Sequence, residues 1–177
     1  RSSQKVAQQN PGALGPAWLV KAIRYVPGPK EEMSALDNFS PADTAIVQQR
    51  FKSQIPFEPQ WDSAATISLV SNKNDIINYR FNARSNQFAV FSEIFYDAGW
   101  KAFIDGKETP IVKVNYVLRG LAVPAGTHDI EFRFEPQGYY TGQKITLVAT
   151  LLMLLVLIAG IFMEWKINRR HPGTAKA

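Results

Sequence analysis

Apolar and polar positions alternate with a period of two along short stretches of the chain before residue 135. The alternation is cleanest at 76–83 and 128–134, where one side of each predicted strand is apolar and the other polar. Further strands are predicted at 66–71, 88–96, 100–104 and 111–123. Short strands at this spacing are typical of an antiparallel sandwich. The predicted fold class is therefore mainly β, an antiparallel β-sandwich of the jelly-roll or immunoglobulin-like kind.

Turn residues separate these strands. The pair Asp105-Gly106 is the strongest signal, because both central positions of a two-residue hairpin turn need positive φ, which Asp and Gly tolerate. The stretch 124–126, with Pro and Gly, and the polar stretches 72–75 and 84–87 end other strands. The strands are therefore expected to follow one another through tight turns.

The beginning of the chain differs from the rest. Residues 1–16 are polar and rich in Pro and Gly, which predicts a linker or a loop. Residues 18–26 alternate in part and are predicted to form one strand, which ends at 27–29. A β-sandwich domain is accordingly expected over 17–140.

Two stretches before residue 52 carry helix signals. The stretch 30–36 is predicted as a short helix, because Pro29 and two Glu residues suit its first turn. For 41–51 the pattern leaves helix and strand open. The residues 40–43 have the form of a helix N-cap, whereas those from Thr44 onward suit a strand equally well.

The longest apolar run lies at 145–163, which contains no charged residue. As a helix, these 19 residues extend about 28 Å, enough to cross the hydrocarbon core of a bilayer. Tyr139 and Tyr140 precede the run and Trp165 follows it, as is typical of residues at the membrane interfaces. Residues 141–165 are therefore predicted to form a transmembrane helix.

The net charge of +5 is concentrated beside that helix. Residues 1–144 hold 16 Lys and Arg against 14 Asp and Glu, whereas 164–177 hold four against one. A nucleic-acid-binding protein needs a basic patch in its folded domain, so nucleic acid is not expected as a partner. The positive-inside rule makes the basic tail, 166–177, cytoplasmic and residues 1–140 extracytoplasmic.

An extracytoplasmic domain must be exported, but the sequence starts at Arg1 without an initiator Met or an apolar leader. Two interpretations follow. A signal peptide was removed, or the chain is the C-terminal piece of a longer protein with further spans upstream. The second interpretation is favoured.

Known catalytic and metal-binding motifs are absent from the sequence. It has no Cys, no glycine-rich phosphate loop and no nucleophile elbow, and its two His residues have no partner at ligand spacing. Four carboxylates lie near the aromatic stretch 88–105 and are interpreted as solvated loop acids: Glu93, Asp97, Asp105 and Glu108. No catalytic residue, metal site or cofactor is predicted.

The aromatic residues of the same region are mostly expected in the core. Tyr96 and Trp100 flank the turn at 97–99 and could instead form an exposed platform that stacks on a sugar ring. Exposure of this pair favours a binding function, and burial of both favours a structural one.

Three stretches carry a resemblance to a known family: FSEIFYDAGWKAFIDGK at 91–107, VNYVLRG at 114–120 and VPAGTHDIEFRFEP at 123–136. Together with 18–25, 39–51 and the apolar run, they resemble the C-terminal part of the YfhO family of bacterial multi-pass membrane proteins. The resemblance implies an inner-membrane protein built like the glycosyltransferases that use lipid-linked sugars outside the membrane. Members are linked to the glycosylation of cell-surface polymers.

The resemblance also sets expectations for partners and residues. In that architecture the catalytic acid lies in an early outside loop, which this chain does not contain. Four family-matching residues without a turn-forming reason are expected to contact a glycan acceptor or the upstream membrane part: Glu93, Asn115, Tyr116 and Arg119. With Tyr96 and Trp100 they form the candidate ligand site. The expected partners are membrane lipid, the upstream transmembrane part and a glycan or lipid-linked sugar.

The expected function is that of an accessory domain and last transmembrane helix of a glycosyltransferase. The alternatives are a membrane-anchored carbohydrate-binding module without catalysis, and a structural sandwich that packs on its own transmembrane bundle.

Overall fold

A computed structural model describes residues 10–170 of the chain. It divides into two compact units, one up to Glu135 and one from Pro136 onward. Most of the predicted linker at 1–16 and most of the predicted tail at 166–177 lie outside the described residues.

The first unit, called the β-unit below, is built from two sheets. Its strands are β1 Ala17–Val20, β2 Ala22–Val26, β3 Thr44–Gln48, β4 Thr66–Asn72, β5 Ile76–Ala83, β6 Gln87–Ile94, β7 Trp100–Ile104, β8 Lys107–Thr109, β9 Val112–Val114, β10 Leu118–Val123 and β11 Gly126–Phe134. One sheet has the order β1-β6-β10-β9-β3-β2, and the other has the order β4-β5-β11-β7-β8. The mainly β, two-sheet fold class predicted from the alternation is confirmed.

The prediction of a single strand over 18–26 was wrong. The strand is interrupted at Lys21, where the backbone N–H groups of Lys21 and Ala22 both donate to the carbonyl of Asp43. β1 then pairs with β6 and β2 pairs with β3, at opposite edges of one sheet. Since Lys21 alone joins β1 to β2, this sheet curls enough to bring the end of β1 beside the beginning of β2. The β2–β3 pair is parallel, so the sheet is mixed rather than purely antiparallel.

The prediction of one continuous strand over 111–123 was also wrong. β9 and β10 are separate strands that pair antiparallel through a turn at 115–117. Asn115 and Tyr116 have φ of 47° and 70°, a conformation rarely adopted by residues other than Gly. Asp105 and Gly106, with φ of 51° and 80°, confirm the predicted hairpin turn.

The helical predictions near the beginning of the chain are resolved. Helix α1 spans Pro29–Ala35 and continues as a 3₁₀ turn at Leu36–Asn38, in agreement with the predicted helix. The open stretch forms strand β3 followed by a 3₁₀ segment at Gln49–Gln54. The residues 40–43 close a turn, with the Ser40 hydroxyl on the Asp43 carboxylate, instead of capping a helix.

The curled sheet is buried on both faces. Aromatic and aliphatic side chains of β5, β6, β7, β10 and β11 fill the space between the sheets, with Phe81, Phe91 and Phe132 fully buried. A second cluster on the other face of the curled sheet is covered by Phe51 and Ile55. A third, smaller cluster lies under α1.

The second unit is dominated by helix α2, Gln137–Arg170. Its part Thr141–Ile167 is long and apolar enough to cross a membrane, and an 18-residue stretch within it has a mean hydropathy of 2.8 and is not buried within the chain. This part contains the predicted apolar run completely.

Candidate functional site

Most of the predicted site residues lie at one end of the β-unit. β11 ends there at Phe134, and the N–H of Glu135 donates to the carbonyl of Gly99 at 2.6 Å before the chain leaves the unit. β6 ends, and β7 and β10 begin, at the same end, since Ile94 pairs with Leu118 and Trp100 with Phe134. We call this the exit end. It holds Glu93, Tyr96, Trp100 and Arg119.

Arg119 is buried at the exit end, with only 3% of its surface exposed. Its Nε donates to the carbonyl of Ile94 at 2.9 Å. The guanidinium lies 4.3 Å from the ring centre of Trp100 and 5.4 Å from that of Phe132, so it makes cation–π contacts inside the sandwich. Nη1 is buried without a hydrogen-bond partner among the described residues.

Tyr79 and Glu93 share the electrostatic environment of Arg119. Burial raises the pKa of Tyr79 to about 12, and the negative charge of Glu93 acts in the same direction. Burial lowers the pKa of Arg119, whereas Glu93 acts to raise it. The Tyr79 hydroxyl is also buried without a partner in the described part of the chain. Glu93 is half-buried, and its negative charge favours the charged form of the buried guanidinium.

The two aromatic candidates differ in exposure. Tyr96 is 53% exposed, whereas Trp100 is half-buried. Both rings lie beside Phe134, at centroid distances of 6.4 Å for Tyr96 and 5.3 Å for Trp100. Gly99 permits this packing, since a Cβ there would lie 2.3 Å from the Phe134 ring. The pair is therefore neither fully exposed nor fully buried.

An open groove of about 570 Å³ runs beside Trp100. Its lining combines aromatic, aliphatic and charged side chains, including Phe95, Asp97, Trp100, Lys101, Glu108 and Pro110. The Lys101 ammonium lies 3.7 Å from Glu108 and 3.5 Å from Glu135, so charged groups line one side. Asp97, Lys101 and Glu108 were not among the predicted site residues. Glu108 reaches the groove because β8 pairs with β7, which residue type alone does not reveal.

Asn115 and Tyr116 have contacts of a different kind. The Asn115 backbone N–H donates to the Ile46 carbonyl at 2.9 Å, and the Asn115 side-chain oxygen accepts from the Ile46 N–H at 2.8 Å. The Tyr116 N–H donates to Glu32 Oε1 at 2.9 Å. These hydrogen bonds fix the turn at 115–117 to β3 and α1, so both residues have a role in the fold itself.

Glu32 is the residue of this network that sequence reasoning missed. It is fully buried, and its second oxygen accepts from the side-chain nitrogen of Gln48 at 2.6 Å. The first-turn position of Glu32 in α1 suggested only a contact with the helix dipole. Its spacing of three and four residues from Ala35 and Leu36, which pack inward, is the available signal.

Among residues 10–170, no group of three or more His, Cys, Asp or Glu side chains could hold a metal ion. The groove has an aromatic wall and charged side chains, whereas the guanidinium of Arg119 is buried behind Trp100.

The chain therefore combines a β-rich unit with one apolar helix that is long enough to cross a membrane. Residues 60–146 match the family model described as bacterial membrane protein YfhO. The resemblance found at 91–107, 114–120 and 123–136 is confirmed. No curated protein and no solved structure matches the chain.

Proposed function

We propose that the β-unit is an extracytoplasmic accessory domain of a bacterial membrane glycosyltransferase that acts on cell-surface glycans. The domain holds the glycan acceptor, and α2 is the last transmembrane helix, with the C-terminus in the cytoplasm of the cell. The catalytic region belongs to a part of the protein outside this chain. The match of 60–146 to the model of a bacterial membrane protein family and the spanning length of α2 support the membrane part of the proposal.

The groove beside Trp100 is the observation that carries the binding role. Sugar rings present apolar faces and a rim of hydroxyl groups. The aromatic rings of Tyr and Trp pack against the apolar faces of a sugar, and charged side chains form hydrogen bonds with its hydroxyl groups. In the groove, Trp100 is the ring that packs on the sugar face. The charged side chains for its hydroxyl groups are Asp97, Lys101 and Glu108. Tyr96, exposed next to Asp97, extends the aromatic surface.

The burial of Arg119 and Asn115 favours a second candidate function. If the family-matching residues only maintain the sandwich, the β-unit is a structural module that packs on its own transmembrane bundle. A carbohydrate-binding module without a catalytic partner is the remaining alternative.

Binding of cell-surface oligosaccharides to the purified full chain tests the proposal. We expect Tyr96→Ala to weaken binding about tenfold, because one aromatic contact is lost. Trp61→Ala is the matched control, since Trp61 is 58% exposed but belongs to a different surface. Equal affinities of the wild type and Tyr96→Ala, or no binding by the wild type, would favour the structural candidate.

The glycosylation role requires a test in the bacterium. Replacement of the gene by Glu93→Gln keeps the size of the side chain but removes the negative charge that favours the charged form of Arg119. The proposal expects loss of a sugar from the cell-surface glycan at unchanged protein level. Unchanged glycan at unchanged protein level would contradict the glycosyltransferase role without affecting the binding role.

A further inference from the structure

Three apolar side chains are exposed together at the exit end. Ile94 is 70% exposed, Tyr96 53% and Val117 47%. Ile94 is the last residue of β6, Tyr96 follows in the connection to β7, and Val117 lies in the turn between β9 and β10. The two segments are joined by the hydrogen bond from the Phe95 N–H to the Val117 carbonyl at 2.7 Å. Single exposed apolar residues are common on protein surfaces, but a cluster on adjacent segments indicates a binding surface. We call Ile94, Tyr96 and Val117 the apolar tip.

The opposite end of the β-unit has a different character. Its turns at 84–86 and 105–107 consist of polar and charged residues and Gly. Trp61 is the exposed aromatic residue there, and the Lys21 ammonium lies 4.6 Å from its ring centre. β11, with nine residues, joins the two ends and separates them by about 26 Å. The apolar surface is therefore specific to the end where the chain leaves the unit.

Chain connectivity limits how far this end can be from a bilayer. Glu135 is hydrogen-bonded to Gly99, three residues after Tyr96. The apolar segment Thr141–Ile167 begins six residues after Glu135. Six residues reach at most about 20 Å, so a helix that spans the membrane holds the exit end within that distance of the bilayer surface.

We propose that the apolar tip inserts into the interfacial layer of the same bilayer that α2 crosses. Its composition fits this layer, because Tyr prefers the boundary between head groups and acyl chains, and aliphatic side chains enter its apolar side. The third turn at this end, 73–75, carries Lys73 and Asp75, so the insertion is shallow. The inference goes beyond glycan binding. Tyr96 is shared by the two proposals, whereas Ile94 and Val117 belong to the apolar tip alone, so labels at these two positions test the inference separately from glycan binding.

Site-specific fluorescence tests the inference, because the sequence contains no Cys. The full chain carries one environment-sensitive fluorophore at Ile94→Cys or Val117→Cys and is reconstituted in vesicles of phosphatidylethanolamine and phosphatidylglycerol. Lys107→Cys, exposed at the opposite end, is the control for a water-exposed site. Leu154→Cys in α2 is the control for a site in the acyl chains.

We expect blue-shifted emission at Ile94 and Val117, and quenching by lipids that carry a spin label near the head group. The Lys107 label should be quenched only by an aqueous quencher. Labels at Ile94 and Val117 that resemble the Lys107 label would overturn the inference. Labels shielded from both quenchers would also overturn it, because protein then covers the tip. A Leu154 label that the spin-labelled lipids do not quench would show that α2 does not lie in the bilayer, and this would also overturn the inference.

Discussion

At the scale of single residues, Arg119 is a charge that the sandwich buries almost completely. We expect Arg119→Lys to destabilise the β-unit by about 1–3 kcal/mol, because the ammonium loses the planar stacking on Trp100 and is more strongly hydrated. Urea unfolding in detergent, followed by tryptophan fluorescence, measures the change. The control is Arg133→Lys, whose guanidinium lies 4.6 Å from the Phe103 ring centre but whose side chain is 42% exposed. Equal, small effects of both variants would contradict the structural importance of the buried guanidinium.

Asn115 has a positive φ, and its side-chain oxygen accepts a hydrogen bond from the backbone N–H of Ile46 in β3. We expect Asn115→Ala to cost about 2–4 kcal/mol, because the buried N–H of Ile46 loses its acceptor and Ala is strained at φ 47°. Asn115→Gly relieves the strain and loses only the hydrogen bond, so it should be less destabilising. The free energy of unfolding measures both. A Gly variant as unstable as the Ala variant would show that the backbone conformation contributes nothing.

The two turns that contain residues with positive φ differ in how easily they can be predicted from the sequence. Asp105-Gly106 was predictable, because both residue types are common at such positions. Asn115-Tyr116 was not, since Tyr at φ 70° gives no turn signal and apolar residues continue on both sides. Asn115 and Tyr116 were predicted as ligand contacts partly because no turn-forming reason was visible in the sequence. That ligand contact stays a prediction.

At the scale of elements, Glu32 connects α1 to two other parts of the β-unit. We expect Glu32→Ala to destabilise the β-unit by about 2–5 kcal/mol, because the Gln48 amide and the Tyr116 N–H lose a buried acceptor. Glu31→Ala, on the exposed side of the same helix, should change stability by less than about 0.5 kcal/mol. Denaturant unfolding of both variants makes the comparison. Equal effects would mean that Glu32 contributes only through the helix dipole.

The β7–β8 turn should be sensitive to acid. The hydrogen bond with His128, followed by that from the Asp129 N–H, lowers the pKa of Asp105. A lowered pKa means that the carboxylate stabilises the folded state above its unfolded pKa of about 3.9 and loses this effect as the pH falls through the folded pKa. The advantage of the wild type over Asp105→Asn should therefore shrink from about pH 5 downward.

The urea midpoint of both proteins between neutral and acidic pH measures this dependence. Asn tolerates positive φ, so the substitution keeps the turn and isolates the charge. A constant difference between the two proteins over the acidic range would contradict a role for the Asp105 carboxylate.

The strand errors have a common physical cause. Local alternation predicts that a segment is extended but not which neighbour it pairs with. At 18–26 the break at Lys21 is imposed by the Asp43 carbonyl, 22 residues away in the sequence. The parallel pairing of β2 with β3 likewise depends on contacts made only in the folded sheet. Strands with clean alternation and flanking turns, such as β5 and β11, were predicted nearly to the residue.

At the scale of the whole molecule, the sequence predicted the two kinds of structure better than the site. A charge-free run is sufficient to predict α2, and alternation is sufficient for a two-sheet domain. The groove was not predictable, because its charged lining comes from residues that seemed to be ordinary loop acids, such as Asp97 and Glu108. The pairing of β7 with β8 brings Glu108 to the groove, whereas Asp97 lies there because it directly precedes β7.

The central claim is that the β-unit lies outside the cytoplasm, attached to a helix that spans the membrane. Single-Cys variants Lys107→Cys and Ala177→Cys test it in intact bacteria, because the native chain has no Cys that could react. A membrane-impermeant maleimide should label Lys107→Cys in intact cells and Ala177→Cys only after the membrane is permeabilised. Labelling of Ala177→Cys in intact cells, with Lys107→Cys protected, would contradict the account.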